Sequence, residues 1–86
     1  MWYVYVLVSL TSGKLYVGIT QHLERRIHEH NDGKSKFTSG HMPWRLIYFE
    51  ELPDTQSARD REKYLKSAAG KRFLKKFLGS AGSLPD

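Results

Sequence analysis

The chain has 86 residues with no cysteine, a hydrophobic fraction of 40%, an aromatic fraction of 13% and a formal net charge of +5. That length makes one domain on a single apolar core, and without cysteine, and with only scattered histidine, neither disulfides nor a structural zinc cage can brace it. The apolar content excludes a disordered chain, while the positive excess, partly gathered in Lys71-Arg72 and Lys75-Lys76, points to polyanions such as nucleic acid or simply to solubility.

Residues 2–9 are β-branched and aromatic on both faces, which predicts an interior strand with Val4, Val6 and Val8 on one side and Tyr3, Tyr5 and Leu7 on the other. No basic segment precedes this run and no small-residue cleavage site follows it. It is also too short to span a bilayer, so a soluble cytoplasmic protein is expected. Thr11-Ser12-Gly13 is turn chemistry and Lys14 to Ile19 resumes the extended pattern, giving a hairpin. Tyr16 and Gly18 share a face of the second strand, and Tyr5 can meet Tyr16 across the pair.

Thr20 is the expected N-cap of a helix whose buried side carries Leu23 and Ile27 and which ends at Asn31-Asp32-Gly33. His22, Arg26 and His30 repeat at four-residue steps and stand one above another on a neighbouring stripe. Arg25 and Glu29 form an ordinary exposed ion pair at the same spacing, which leaves Arg26 without a surface explanation. A phenol, a stretch of bare backbone and a guanidinium, all within residues 14–30, are equipment for holding a phosphate.

A loop over 33–43 contains Lys34, Lys36 and His41 among small residues and one aromatic, Phe37, and is long enough to suggest a function of its own. Trp44 to Leu52 reads as a third strand in which Trp44, Leu46 and Tyr48 alternate with Arg45, Ile47 and Phe49. Pro53-Asp54 breaks it and Asp54 or Thr55 caps a helix over 55–68. Glu62 falls in the middle of that helix's apolar face, between Ala58 and the pair Leu65 and Ala69. A buried carboxylate needs a partner or a metal; the alternatives are an ion pair with Arg26 or Arg61, or a helix rolled to solvate it. Gly70 separates a last helix over 71–78, with Phe73, Leu74, Phe77 and Leu78 inward, and a flexible Gly/Ser tail over 79–86 is expected. The fold class is α+β: β-β-α-β-α-α, a small three-stranded antiparallel sheet packed by helices, with one domain over 1–78.

With these residues in view, the chain resembles the GIY-YIG nuclease superfamily, and within it the small single-domain, excinuclease-C-like branch. Tyr3-Val4-Tyr5 corresponds to the first half of the family's name and Tyr16-Val17-Gly18 to the second. The helical run 23–31 looks like the family's arginine motif with Arg26 in the functional position, and the run 58–66 like its glutamate motif with Glu62 as metal ligand. Pro43-Trp44-Arg45-Leu46-Ile47-Tyr48 is typical of the small members, and the resemblance covers residues 2–78. Two departures stand out: Tyr3 replaces the name's glycine, and Phe73-Leu74-Lys75 stands where larger relatives carry an asparagine. No second recognition domain is visible, so little sequence specificity is expected.

The resemblance implies a DNA endonuclease that hydrolyses phosphodiester bonds with one divalent metal, Mg²⁺ or Mn²⁺, and that serves repair or recombination on particular DNA structures. RNA as substrate and a specificity-giving protein partner stay open, and no membrane is involved. On that basis Glu62 anchors a largely hydrated metal, Arg26 grips non-bridging oxygens and Gly18 lets phosphate approach the backbone. Tyr16 is the general base, which needs nearby positive charge from Arg26 and the metal, and Tyr5 orients water or phosphate. His30 either relays a proton or contacts phosphate, or is a packed residue favoured by the helix dipole. Lys34, Lys36, His41, Lys71 and Arg72 track the nucleic-acid backbone, although part of the C-terminal basic block also reads as a solvated helix face. The rival reading is a nucleic-acid-binding module that does not cut.

Overall fold

The computed structural model describes residues 1–36 and 38–80, with side chains in the last helix described as far as Phe77. Three strands, β1 (Trp2–Ser9), β2 (Leu15–Thr20) and β3 (Trp44–Leu52), form one antiparallel sheet in the order β2-β1-β3. The most apolar strand thus takes the centre, where both faces are covered: Val4 to Ser9 are all buried. Helices α1 (Leu23–Asn31), α2 (Thr55–Lys66) and α3 (Ala68–Ser80) complete the order β-β-α-β-α-α. The aromatic Phe37 and residues 81–86, which carry most of the expected tail, lie outside the described residues.

Alternation along β1 splits the core in two. Val4 and Val6 pack with Val17 under Leu65 of α2 and Leu74 of α3. Tyr5, Leu7 and Trp44 form the other cluster, against which Tyr16, Leu23 and Ile27 are packed. So α1 covers one face of the sheet, and α2 with α3 the other.

Strict alternation fails on β3. The β1–β3 pairing joins Val6 to Tyr48 and Leu7 to Leu46, which leaves Ile47 as the extra residue of a bulge. Trp44 and Leu46 therefore belong to the α1 side while Ile47 and Tyr48 both pack on the opposite cluster.

Helix boundaries differ from expectation for identifiable reasons. The N-cap of α1 is His22, which makes no side-chain cap bond, and the Thr20 hydroxyl instead accepts the His22 N–H at 3.0 Å, two residues before the helix cap. Asp54 caps α2 as expected, accepting the Ser57 N–H at 2.8 Å. The break between α2 and α3 falls at Ser67 rather than Gly70, because the Ser67 hydroxyl accepts the Gly70 N–H at 3.2 Å and restarts the helix. Gly70 lies inside α3 against the end of α2: a Cβ there would stand 2.0 Å from the Tyr64 carbonyl oxygen and 2.4 Å from Leu65 Cα. Ala69 moves with it into α3 and is exposed. Phe77 is half exposed, not inward, and lays its ring edge-on to Tyr48 with centroids 5.1 Å apart.

Candidate active site

The hairpin register brings the two motif tyrosines together. Tyr5 pairs with Gly18 and Leu7 with Tyr16, which puts both phenols on the α1 side with ring centroids 6.2 Å apart. Gly18, expected to leave room for phosphate, makes room for Tyr5 instead. A Cβ at position 18 would lie 2.7 Å from the Tyr5 hydroxyl oxygen and 3.0 Å from the Tyr16 ring.

Helix α1 supplies the other two groups of the cluster. His30 is fully buried and its ring stands edge-on to Tyr16, centroids 4.8 Å apart. Its Nε2 lies 2.9 Å from the Tyr5 hydroxyl and its Nδ1 2.8 Å from Thr38 Oγ1. The partners assign the tautomer. Thr38 can give its proton to the Ser35 carbonyl and accept from Nδ1–H, which leaves Nε2 to accept from Tyr5. Burial and then the positive charge of Arg26 push the His30 pKa down to about 4, so the ring is neutral near pH 7. Burial in the same pocket, and next the neighbouring Tyr16, push the Tyr5 phenol well above its ordinary value. Tyr5 is thus a protonated donor, and total burial keeps His30 from meeting phosphate, which corrects that half of its expected role.

Arg26 is half exposed and acts on both Tyr5 and Tyr16. Its Nη1 donates to Glu29 Oε1 at 3.0 Å, whereas Arg25 only approaches the same carboxylate at 4.0 Å. Glu29 is therefore chiefly the partner of Arg26, not of Arg25, and that hydrogen bond holds its carboxyl below the usual range. The i,i+3 spacing carried the signal, but the i,i+4 pair masked it. His22, on the same stripe, is exposed at the head of α1.

Two further residues brace the cluster, with no local sequence signal to mark them. Thr38, buried in the 33–43 loop, also accepts the Trp44 indole N–H at its carbonyl, 2.8 Å away. Asn31 clamps the end of α1 to β3 by donating to the Trp44 carbonyl at 3.0 Å and accepting the Trp44 N–H at 2.6 Å.

Glu62 stands apart from these four, on α2 in the layer over the opposite sheet face. Its carboxylate accepts from Lys66 Nζ at 3.1 Å, while Arg61 serves Glu50 instead, at 2.9 and 3.1 Å. Neither expected ion pair with Arg26 or Arg61 forms. Lys66, however, lines a cleft of about 540 Å³ that Tyr16 also lines, so Glu62 sits one helical turn from the space beside the tyrosine. Of the basic residues expected to meet nucleic acid, Lys34, Lys36, Lys71 and Arg72 are exposed. His41 is half buried near the Trp44 ring, centroids 6.2 Å apart.

A family model described as the GIY-YIG catalytic domain matches residues 1–76. The chain belongs to the GIY-YIG family. It is 43% identical over 67 residues to a UPF0213 protein of Clostridium perfringens, covering 77% of this chain and 71% of that one. A UPF0213 protein of Haloquadratum walsbyi is 41% identical over 66 residues, covering 76% and 73%. The solution NMR structure of a UPF0213 protein from Bacillus halodurans is similar with a TM-score of 0.53 and 34% identity, over 90% of this chain and 85% of that chain. GIY-YIG membership makes the chain a nuclease-type domain directed at nucleic acid, and no helix among the described residues is long and apolar enough to cross a membrane.

The metal that GIY-YIG membership implies can be weighed against the donors present. Among the described residues no three of His, Cys, Asp and Glu converge as a metal cage. The Glu62 carboxylate, with a side chain 24% exposed, fits a Mg²⁺ or Mn²⁺ ion that keeps most of its waters, and does not fit a fully protein-caged ion.

Proposed function

We propose that this GIY-YIG domain is a divalent-metal-dependent endonuclease that hydrolyses phosphodiester bonds in DNA, selecting DNA structure rather than sequence and serving repair or recombination. The observation that carries the reading is the convergence of Tyr5, Tyr16, Arg26 and His30 on one sheet face, with Arg26 and Tyr16 still reachable from solvent. Arg26, steadied by Glu29, offers its guanidinium to the non-bridging oxygens, where charge builds as the phosphorus becomes five-coordinate. Tyr16 would take the proton of the attacking water after its own phenolic proton has left to solvent, with Arg26 as the nearby positive charge that favours this. Tyr5, buried like His30, donates its hydroxyl hydrogen bond to His30 and stands beside Arg26 and Tyr16, so it positions those two groups from beneath. Glu62 would hold the Mg²⁺ or Mn²⁺ ion, which when bound supplies Lewis acidity to the departing oxygen. Lys34, Lys36, Lys71 and Arg72 hold the backbone.

Purified protein incubated with flap, nicked and branched DNA in Mg²⁺ or Mn²⁺ tests this. Cleavage by the wild type, with Glu62→Ala and Tyr16→Phe each reduced at least about a hundredfold, is the expected result; equal products from all three proteins sink it.

One observation favours the rival, a domain that binds nucleic acid without cutting: Lys66 already occupies the Glu62 carboxylate. That reading requires salt-sensitive binding without metal that survives Glu62→Ala, and no cleavage of any of the substrates above.

A further inference from the structure

The cleft that Tyr16 and Lys66 share has a lining that phosphate gripping alone does not explain. Its floor is hydrocarbon, with Leu65 and Leu74 fully buried at the base and Val17 beside them. Leu15, 40% exposed, adds an apolar lip from the edge strand β2. Lys66 and Lys71 supply two ammonium groups from α2 and α3, and Tyr16 closes one wall. The volume of about 540 Å³ lies within the ordinary range for small-molecule sites.

A continuous duplex offers such a cleft only phosphates and sugars, because its base faces are stacked inside. An unstacked nucleotide offers an apolar ring for the floor and a phosphate for the lysines. We infer that the cleft between β2 and the α2–α3 pair seats one unpaired nucleotide of a DNA strand beside Tyr16, the residue that the cleft shares with the proposed site. The inference rests on the proposed action on DNA and narrows its substrate to strands with an unpaired nucleotide beside the scissile bond, as at flaps, gaps and single-stranded tails. Unpairing costs a few kcal/mol in intact duplex and nothing in a single strand, so the selection follows from energetics rather than from base-specific contacts.

Methyl NMR in EDTA, with thymidine trinucleotide or a short blunt duplex as probe, reads the cleft without any cleavage. The Leu15, Val17, Leu65 and Leu74 methyl signals are expected to shift with the trinucleotide and stay still with the duplex; silence with both, or equal shifts with both, overturns the inference. Leu15→Ser, at an exposed position, should weaken single-strand binding about fivefold and leave duplex binding unchanged; an unchanged single-strand affinity overturns it. Methyl shifts without cleavage of any DNA uphold the cleft and remove the hydrolytic reading. Duplex cleavage with silent methyls does the reverse.

Discussion

His30 is the residue whose environment does most to define the site. A buried imidazole with a depressed pKa must be neutral to accept from Tyr5, and protonation turns Nε2 into a second donor facing a donor. The unfolded chain takes up the proton near pH 6.5 and the folded chain only near 4, so the unfolded state binds more protons between them. Stability contributed by neutral His30 is therefore present at pH 7 and drains away as pH falls below about 6.5. From pH 7 to pH 5 the loss amounts to about 2 kcal/mol. Chemical denaturation at the two pH values should show that difference, and His30→Gln should flatten it over the same window; an equally steep decline in the variant would place the effect elsewhere. Glu29 and Thr38 act at this scale too: Glu29 steadies Arg26 although its spacing to Arg25 drew the eye, and Thr38 orients His30 from a loop position with no local signal.

At the scale of elements, the decisive joints are tight contacts between segments. Asn31 ties α1 to β3, and Gly70 lets α3 fold back against the last turn of α2. A methyl group at position 70 meets backbone atoms, which cannot move aside as a side chain can. Gly70→Ala should therefore cost about 2–3 kcal/mol, at the upper end for added volume in a packed site. A melting temperature within a degree of the wild type would contradict the close approach. Strand identities, the hairpin and the C-terminal end of α1 were legible from alternation and turn residues. The Ile47 bulge and the restart of the helix at Ser67 were not, because pairing to β1 decides the first and a single hydroxyl decides the second. The bulge shifts the pairing by one residue and reassigns Tyr48 to the other face, and the break three residues earlier than Gly70 puts Ala69 in another helix.

For the whole molecule, the sheet acts as a partition. Tyr5, Tyr16, Arg26 and His30 gather under α1, whereas Glu62 belongs to the α2 layer, where its partner Lys66 lines the cleft at the β2 edge. Exposed basic residues stand on the 33–43 loop and at the start of α3, and the net charge of +5 attracts polyanions at long range. If Lys34, Lys36, Lys71 and Arg72 each neutralise one phosphate, log affinity for duplex DNA should fall against log salt with a slope of about −3 to −4. Replacing Lys71 and Arg72 by glutamine should reduce that slope by about 2; an unaltered slope in a titration of both proteins would assign these two residues to the solvated face of α3.

The sequence by itself determined the family, the element order and the identity of the tyrosine, arginine and glutamate candidates, because each is a local pattern: alternation, helical spacing or a short motif. Only the tertiary structure decided what Gly18 makes room for, that His30 is buried between Tyr5 and Thr38, that Glu29 belongs to Arg26, and that Glu62 is held by Lys66. Those outcomes depend on strand register and on which layer covers which face, and residues far apart in the chain fix both together.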